Sequence, residues 1–184
     1  MLKIALALFA LAAAAGWGSA LAGEAPASET RAFAKCPDTA CREEAVARLK
    51  ADALGGDDYA LVSLELLRAS GAADAPSLAE IIEIEIARAG DGDAMTAWRL
   101  AKRYETGDGV AASQTEMIRW LKVAAAERAY PKAADAAYAL CEIYNHGEAT
   151  AAEPAEARDW CRIAAGAGHA VAVMTLARLR ATHE

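Results

Sequence analysis

Metal binding and catalysis would require histidines or nucleophiles at characteristic spacings in the sequence. The three histidines, His146, His169 and His183, have no partner at the spacing of an H-E-x-x-H metal motif. The chain also lacks the G-x-S-x-G and S-x-x-K motifs of serine nucleophiles and the Walker motif that binds phosphate. The sequence therefore predicts no catalytic, cofactor-binding or metal-binding residues, and we expect the protein not to be an enzyme.

A run of carboxylates alternates with isoleucines over residues 80–86. Glu80, Glu83 and Glu85 are its acidic members. The alternation resembles a strand, but the surrounding residues are strong helix formers, which favours a helix. We interpret the isoleucines as a core stripe and the carboxylates as a solvated helix face, and not as a general acid–base pair.

Four cysteines fall into two groups, Cys36 with Cys41 and Cys141 with Cys161. Neither spacing matches the C-x-x-C pairs of zinc sites. An even number of cysteines in an exported chain is typical of disulfides, and four cysteines allow three pairings.

The first 22 residues have the layout of an export signal. Lys3 precedes an apolar run from Ile4 to Ala15, and the small-x-small triplet Ala20–Ala22 follows. This layout predicts cleavage after Ala22 and a periplasmic or secreted product. The alternative is an uncleaved membrane anchor, for which the apolar run is shorter than the ~20 residues that a spanning helix needs.

Length and charge restrict the remaining classes of protein. A chain of 184 residues fits one domain, and residues 23–40 predict a flexible mature N-terminus before it. The formal net charge of −7 and the absence of a lysine or arginine cluster argue against a nucleic-acid partner. After signal cleavage no segment is apolar enough to span a membrane, so no membrane span is expected.

The rest of the chain, residues 41–184, reads as helices. Helix formers dominate, apolar residues recur at spacings of three and four, and glycine or proline separates short segments. The predicted helices are 42–54, 58–69, 76–89, 93–106, 113–128, 133–146, 153–166 and 169–181. The sequence therefore predicts an all-α protein.

Comparison of the chain with itself reveals a repeat. A shift of 40 residues superimposes Ala97, Leu100, Tyr104, Gly107, Trp120, Ala124 and Ala125 on Ala137, Leu140, Tyr144, Gly147, Trp160, Ala164 and Ala165. A shift of 36 superimposes Leu64 on Leu100 and Leu140 on Leu176, so one unit carries four extra residues near Tyr130–Ala134. The repeats are approximately 58–92, 93–132 and 133–168, followed by a cap at 169–181.

Each repeat predicts a helix, a tight turn and a second helix. Gly107 ends the first helix, since glycine adopts the left-handed conformation that a helix C-cap prefers. In the second helix Trp120 supplies one large side chain, and Ala124 and Ala125 allow neighbouring helices to approach closely. Because one hairpin cannot bury both of its faces, the units are expected to stack as an α/α-hairpin solenoid.

These residues resemble the Sel-1-like repeat, a relative of the tetratricopeptide repeat. The residues 94–128 and 133–168 match its pattern of leucine, tyrosine, glycine, tryptophan and paired alanines. Residues 60–92 are a degenerate copy, and Glu148-Ala149-Thr150 departs from the usual turn. The resemblance implies a right-handed superhelix of about three repeats with a C-terminal capping helix, and a role in binding other proteins.

The resemblance also implies where a partner binds. By analogy with tetratricopeptide repeats, residues two before and two after the core leucine point to the concave face. These residues are Trp98 and Lys102 in one repeat and Tyr138 and Glu142 in the next, with Asn145 at the rim. The alternative for Trp98 and Tyr138 is packing between repeats.

The repeat predicts a disulfide as well. Residues of an antiparallel hairpin that share a midpoint lie at the same height, and the midpoint of Cys141 and Cys161 falls in the predicted turn at 147–152. We expect this bond to close one hairpin and a Cys36–Cys41 bond to fix the start of the first helix. The alternative is buried free thiols.

Three functions remain open from the sequence. The first is an exported adaptor or regulator that binds a protein or peptide on the concave face. The second, implied by the resemblance to cysteine-rich Sel-1-like proteins, is a hydrolase acting on cell-wall or β-lactam-type substrates. The third is a chaperone-like structural module that binds envelope proteins loosely.

Overall fold

The computed structural model of the protein describes Phe33, residues 35–146 and residues 154–181. The predicted export signal at 1–22 and most of the predicted flexible segment at 23–40 lie outside the described residues. The turn from Gly147 to residue 153 and the tail with His183 also lie outside them.

The described residues form eight α-helices. They are α1 (Thr39–Leu54), α2 (Asp58–Ala69), α3 (Leu78–Gly90), α4 (Ala94–Thr106), α5 (Gln114–Ala126), α6 (Ala133–His146), α7 (Pro154–Gly166) and α8 (Ala170–Ala181). Each end lies within three residues of its predicted position. The all-α prediction is confirmed, and the isoleucine–glutamate run lies in α3.

Helix ends are fixed by the residues that the sequence places there. The carboxylate of Asp38 accepts a hydrogen bond from the amide of Cys41 at 2.9 Å, and Asp93 accepts one from Thr96 at 2.9 Å. Such N-caps satisfy amide groups that the first helical turn leaves unpaired. Gly107 ends α4 with a φ of 78°, as predicted for a glycine C-cap.

The chain divides into two compact units, with the boundary inside α3 between Ile84 and Glu85. In the first unit α1 packs against α2. Its core is a single cluster of buried apolar side chains from α1, α2 and the first half of α3, namely Val46, Leu49, Ala53, Ala60, Leu61, Leu64, Leu67, Ile81 and Ile84.

In the second unit each helix from α4 to α8 packs against the next one in sequence. The helices α4 and α5 form one hairpin, α6 and α7 form another, and α8 packs against α7. Most repeat residues that were predicted to form the core are buried, including Leu100, Trp120, Ala124, Leu140 and Ala164, whereas Tyr104, Trp160 and Ala165 are half-buried. The predicted hairpin architecture is therefore confirmed.

A capping box begins α3 in the first unit. The amide of Ser77 donates to the Glu80 carboxylate at 2.8 Å, and the amide of Glu80 donates to the Ser77 hydroxyl at 3.2 Å. The Lys50 ammonium on α1 donates to the same carboxylate at 2.5 Å. The hydrogen bond from Lys50, followed by those from Ser77, lowers the pKa of Glu80 from 4.5 to about 2. This carboxylate therefore connects α1 with the beginning of α3.

We expect Glu80→Gln to lower the melting temperature at neutral pH, because glutamine keeps the capping geometry but loses the charge that pairs with Lys50. The folded pKa of about 2 lies below 4.5, so this stabilisation is complete above pH 4.5 and is lost as the pH falls toward 2. Thermal unfolding by circular dichroism at stepped pH should show a difference between wild type and variant that narrows below pH 4.5.

The matched control is Glu83→Gln, which changes an exposed carboxylate on the same helix. A difference in melting temperature for Glu80→Gln that stays constant across this pH range would contradict the assignment.

Candidate functional site

Two of the predicted binding residues contact each other on α4. The Trp98 side chain is half-buried, and the Lys102 ammonium lies 5.3 Å from the centroid of its ring. Lys102 is 53% exposed and also pairs with Glu105 at 2.7 Å. Because Lys102 follows Trp98 by one helical turn, the two residues present an aromatic surface beside a positive charge.

Tyr138 on α6 occupies the equivalent position in the next repeat but has a different environment. Its ring stacks on the His169 ring, with centroids 4.3 Å apart and an interplanar angle of 20°. It also packs against the buried cluster that includes Leu176 and Leu179 of α8. Of the two roles predicted for Tyr138, the structure shows packing between repeats.

His169 acts as a structural residue at the beginning of α8. Its Nδ1 atom accepts a hydrogen bond from the amide of Ala172 at 3.2 Å, and its Nε2 atom lies 3.7 Å from the Asp135 carboxylate. Its ring contacts Tyr138 as well. His169 therefore joins the cap helix to α6.

The remaining predicted residues, Glu142 and Asn145, lie in the last turns of α6. One oxygen of Glu142 is 3.3 Å from Nε2 of the exposed His146, and the other is buried without a hydrogen-bond partner among the described residues. Asn145 is half-buried. The structure thus brings together Trp98 with Lys102, and Glu142 with His146, whereas Tyr138 faces the cap.

The sequence did not predict a buried ion cluster, in which Glu85 of α3 pairs with Arg99 and Arg103 of α4. Glu85 is fully buried, and its carboxylate accepts hydrogen bonds from Arg99 at 2.9 Å and from Arg103 at 2.7 Å. Arg103 also pairs with Asp108 at 2.5 Å. The prediction that Glu85 belongs to a solvated face is therefore wrong. Burying a carboxylate without a partner would cost folding free energy, and Glu85 avoids this cost by pairing with the two arginines. This pairing is visible only in the tertiary structure.

Polar groups beside α4 are held in fixed protonation states. Burial favours protonated Asp93, yet the hydrogen bonds from the Thr96 amide and Arg88 outweigh it and lower the pKa of Asp93. Burial, together with the negative charge of Asp93, raises the pKa of Tyr130 to about 12. Tyr130 therefore keeps its phenolic proton at neutral pH and lies in the insert that distinguishes this repeat.

Both predicted disulfides are present. Cys141 and Cys161 are fully buried, with Cα atoms 5.0 Å apart, and their bond joins α6 to α7. Cys36 and Cys41 have Cα atoms 5.4 Å apart, and their bond closes a short loop over the first turn of α1. The disulfide of the second unit therefore fixes the hairpin that carries Tyr138.

The first unit contains a surface cleft with a volume of about 400 Å³. Two of its carboxylates are paired with cations, Asp74 with Arg42 and Glu80 with Lys50, each at 2.5 Å. These pairs give the carboxylates a structural role. Among the residues that the structure describes, no group of three or more histidine, cysteine or acidic side chains has the arrangement of a metal site.

Helices long and apolar enough for a membrane crossing are also missing from the part of the chain that the structure describes.

The arrangement of paired helices, a small-residue core and a terminal cap defines a helical-repeat protein of the hairpin class. The structure is similar to that of a Sel1 repeat protein from Oxalobacter formigenes, with a TM-score of 0.50 and 23% sequence identity over 65% of this chain and 88% of that chain. The chain thus has the fold of a Sel1 repeat protein, as its motifs predict. No protein-family model matches the sequence, and no curated protein matches it.

We expect Glu85→Gln to destabilise the protein by about 3 kcal/mol, because it removes the buried negative charge with which both Arg99 and Arg103 pair. Glu83→Gln is the matched control, since Glu83 is exposed two residues away on the same helix. Urea unfolding should show a loss below about 0.5 kcal/mol for the control. Equal losses for the two variants would contradict the role assigned to the cluster.

We expect Cys141→Ala with Cys161→Ala to cost about 3 kcal/mol of stability, since the bond closes a loop of 20 residues in the unfolded chain. The matched pair Cys36→Ala with Cys41→Ala should cost less, about 2 kcal/mol, because its loop has a sequence separation of 5. Urea unfolding measures both losses. Four free thiols in a non-reducing digest analysed by mass spectrometry would overturn both pairings.

Proposed function

We propose that the protein is an exported interaction module, an adaptor or regulator, that binds a protein or peptide segment on the face formed by α4 and α6. The observation that carries this proposal is the half-exposed Trp98 ring with Lys102 beside it on α4. Most of α4 is committed to the core or to the ion cluster, whereas Trp98 and Lys102 reach the surface.

The chemistry of this pair suits a peptide with an apolar anchor next to a carboxylate. Tryptophan is enriched among residues that dominate binding energy, because its ring buries a large area with few rotatable bonds. Lys102 is already close to Glu105, so a partner carboxylate would join an existing charge pair at the rim of the site. Rim charges of this kind contribute mainly to orientation and association rate.

Glu142 and Asn145 add polar groups on α6 and extend the proposed face. The Glu142 side chain is 33% exposed, so its carboxylate can accept a hydrogen bond from a backbone amide or a side-chain donor of the ligand. Tyr138 contributes less than Trp98, because stacking on His169 already covers its ring.

Two features support export and a role without catalysis. Disulfides persist in oxidising compartments, and the described cysteines are all paired. Two carboxylates in the cleft of the first unit, Asp74 and Glu80, are paired with cations, an arrangement that favours a structural role for them over proton transfer. Residues 1–22 supply the signal-like segment that export requires.

We expect Trp98→Ala with Lys102→Ala to weaken partner binding by about 2 kcal/mol or more, roughly thirtyfold, without changing the helical circular dichroism. Tyr138 is left intact because its loss would disturb the packing of α8. A crosslinking pull-down from the exported fraction, followed by titration of the recovered partner, measures the loss.

The matched control is Arg162→Ala with Ile163→Ala, which removes one exposed cation and one exposed apolar side chain from the second helix α7. A partner that binds the Trp98 variant as tightly as the wild type would place the site elsewhere. Capture of many unrelated envelope proteins would contradict an adaptor and favour the chaperone-like module.

A further inference from the structure

The last helix of the second unit has an unusually apolar surface. Among the described residues six large hydrophobic side chains are exposed, and three of them lie on α8, namely Val171 at 44%, Val173 at 53% and Met174 at 65%. Single exposed apolar residues are ordinary, but several on one helix indicate a surface that another molecule covers.

The repeat register shows what kind of element covers such a surface. The shift of 36 residues that places Leu140 on Leu176 also places Ala137 on Val173 and Cys141 on Ala177. In α6 both Ala137 and Cys141 are fully buried, because α7 packs against that helix. On α8 the equivalent Val173 and Ala177 are exposed.

The same comparison holds for the other hairpin. Ala97 and Ala101 occupy these positions on α4, where they are 0% and 1% exposed beneath α5. Two independent repeats thus bury these two positions under a second helix. The exposed face of α8 has the register of a helix-binding surface.

The charges on α8 indicate which kind of partner helix could bind its exposed face. The twelve residues of α8 contain no aspartate or glutamate, and Arg178 is exposed one turn after Met174. This face is therefore apolar and basic in a protein whose net charge is −7. A second copy of α8 would bring no carboxylate to Arg178, whereas an acidic helix would bring one.

We propose that the face formed by Val173, Met174, Ala177 and Arg178 binds an acidic amphipathic α-helix of another protein. Over Val173 and Ala177 that helix occupies the place that α5 takes on α4 and that α7 takes on α6, and its edge extends along Met174 and Arg178. Met174 and Arg178 stand at the repeat positions of Trp98 and Lys102 but lie on a different helix, so variants of α8 and of α4 distinguish the two proposals.

The helix α5 indicates what the partner must carry. Its buried side chains are three large apolar residues, Ile118, Trp120 and Leu121, followed one turn later by two small ones, Ala124 and Ala125. A partner helix with bulky apolar residues followed by small residues reproduces this pattern. Carboxylates along its edge then pair with Arg178.

The probe is a pair of synthetic peptides based on residues 113–128 of this chain, which include α5. One has the native sequence, and the other carries Arg119→Glu and Lys122→Glu, which make it acidic. Fluorescence anisotropy of labelled peptide measures binding to the full chain at low and at high salt. We expect the acidic peptide to bind about tenfold more tightly than the native one at low salt, and the preference to fall at high salt.

Three variants test the location of the site. Val173→Ser with Met174→Ser should weaken binding of the acidic peptide about tenfold or more, and Arg178→Glu should abolish the preference for it. The matched control is Leu54→Ser, which alters a side chain 53% exposed in the first unit and should leave binding unchanged. Trp98→Ala with Lys102→Ala should also leave it unchanged, which separates this proposal from the previous one.

Each remaining outcome overturns the proposal. Binding that is equal in wild type and in the Val173 and Met174 variant would place the peptide elsewhere. A lack of binding by both peptides up to about 1 mM would show that the face does not accept a helix. Sedimentation that reveals a dimer lost in the same variant would show that a second copy covers this face.

Discussion

Burial of small residues beneath a neighbouring helix is the constraint on which the second unit depends. Ala97 and Ala137 have no exposed surface, and both lie where a second helix covers the first helix of a repeat. Alanine permits the close approach that fills this interface, and a larger residue there would separate the two helices. Because a single hairpin buries only one face, its other face must be covered by the next repeat. This requirement explains why α8 packs on α7 after the second hairpin, and why α8 exposes, at Val173 and Ala177, positions that α4 and α6 bury.

The proposed binding face depends on the same packing. Trp98 is presented by a helix whose opposite side is fixed by α5, by the buried ion cluster around Glu85 and by the cap that Asp93 supplies. The neighbouring helix α6 is joined to α7 by the Cys141–Cys161 bond. Side chains on elements held in this way lose little further conformational freedom on binding, which favours affinity.

Local sequence signals were sufficient for most of the fold. Helix ends follow from Asp93 and Gly107, whose capping preferences are independent of distant residues. The Cys141–Cys161 pairing follows from the hairpin alone, because the two positions are equidistant from the turn. These features need only the period of the repeat and the chemistry of single residues.

The features that were missed depend on contacts between distant residues. In the sequence Glu85 belongs to the glutamate–isoleucine run, whose carboxylates were predicted to be exposed. In the structure it pairs with Arg99 and Arg103, which are 14 and 18 residues away on another helix. A spacing of four from Ile81 to Glu85 gives a hint, since it places both on one helical face. Tyr138 and Trp98 share a register and are both half-buried, but their environments differ, because the Tyr138 ring stacks on His169. The sequence pattern of one repeat cannot predict this difference, because the contact involves a residue outside that repeat.

The central claim is that the first helices of the second unit bind a partner through Trp98 and its neighbours. Hydrogen–deuterium exchange by mass spectrometry, with and without the partner recovered from the exported fraction, tests it most directly. The account predicts that added protection concentrates in the peptides covering α4 and α6. Protection confined to α5 and α7, or no change in any helix of the second unit, would contradict it.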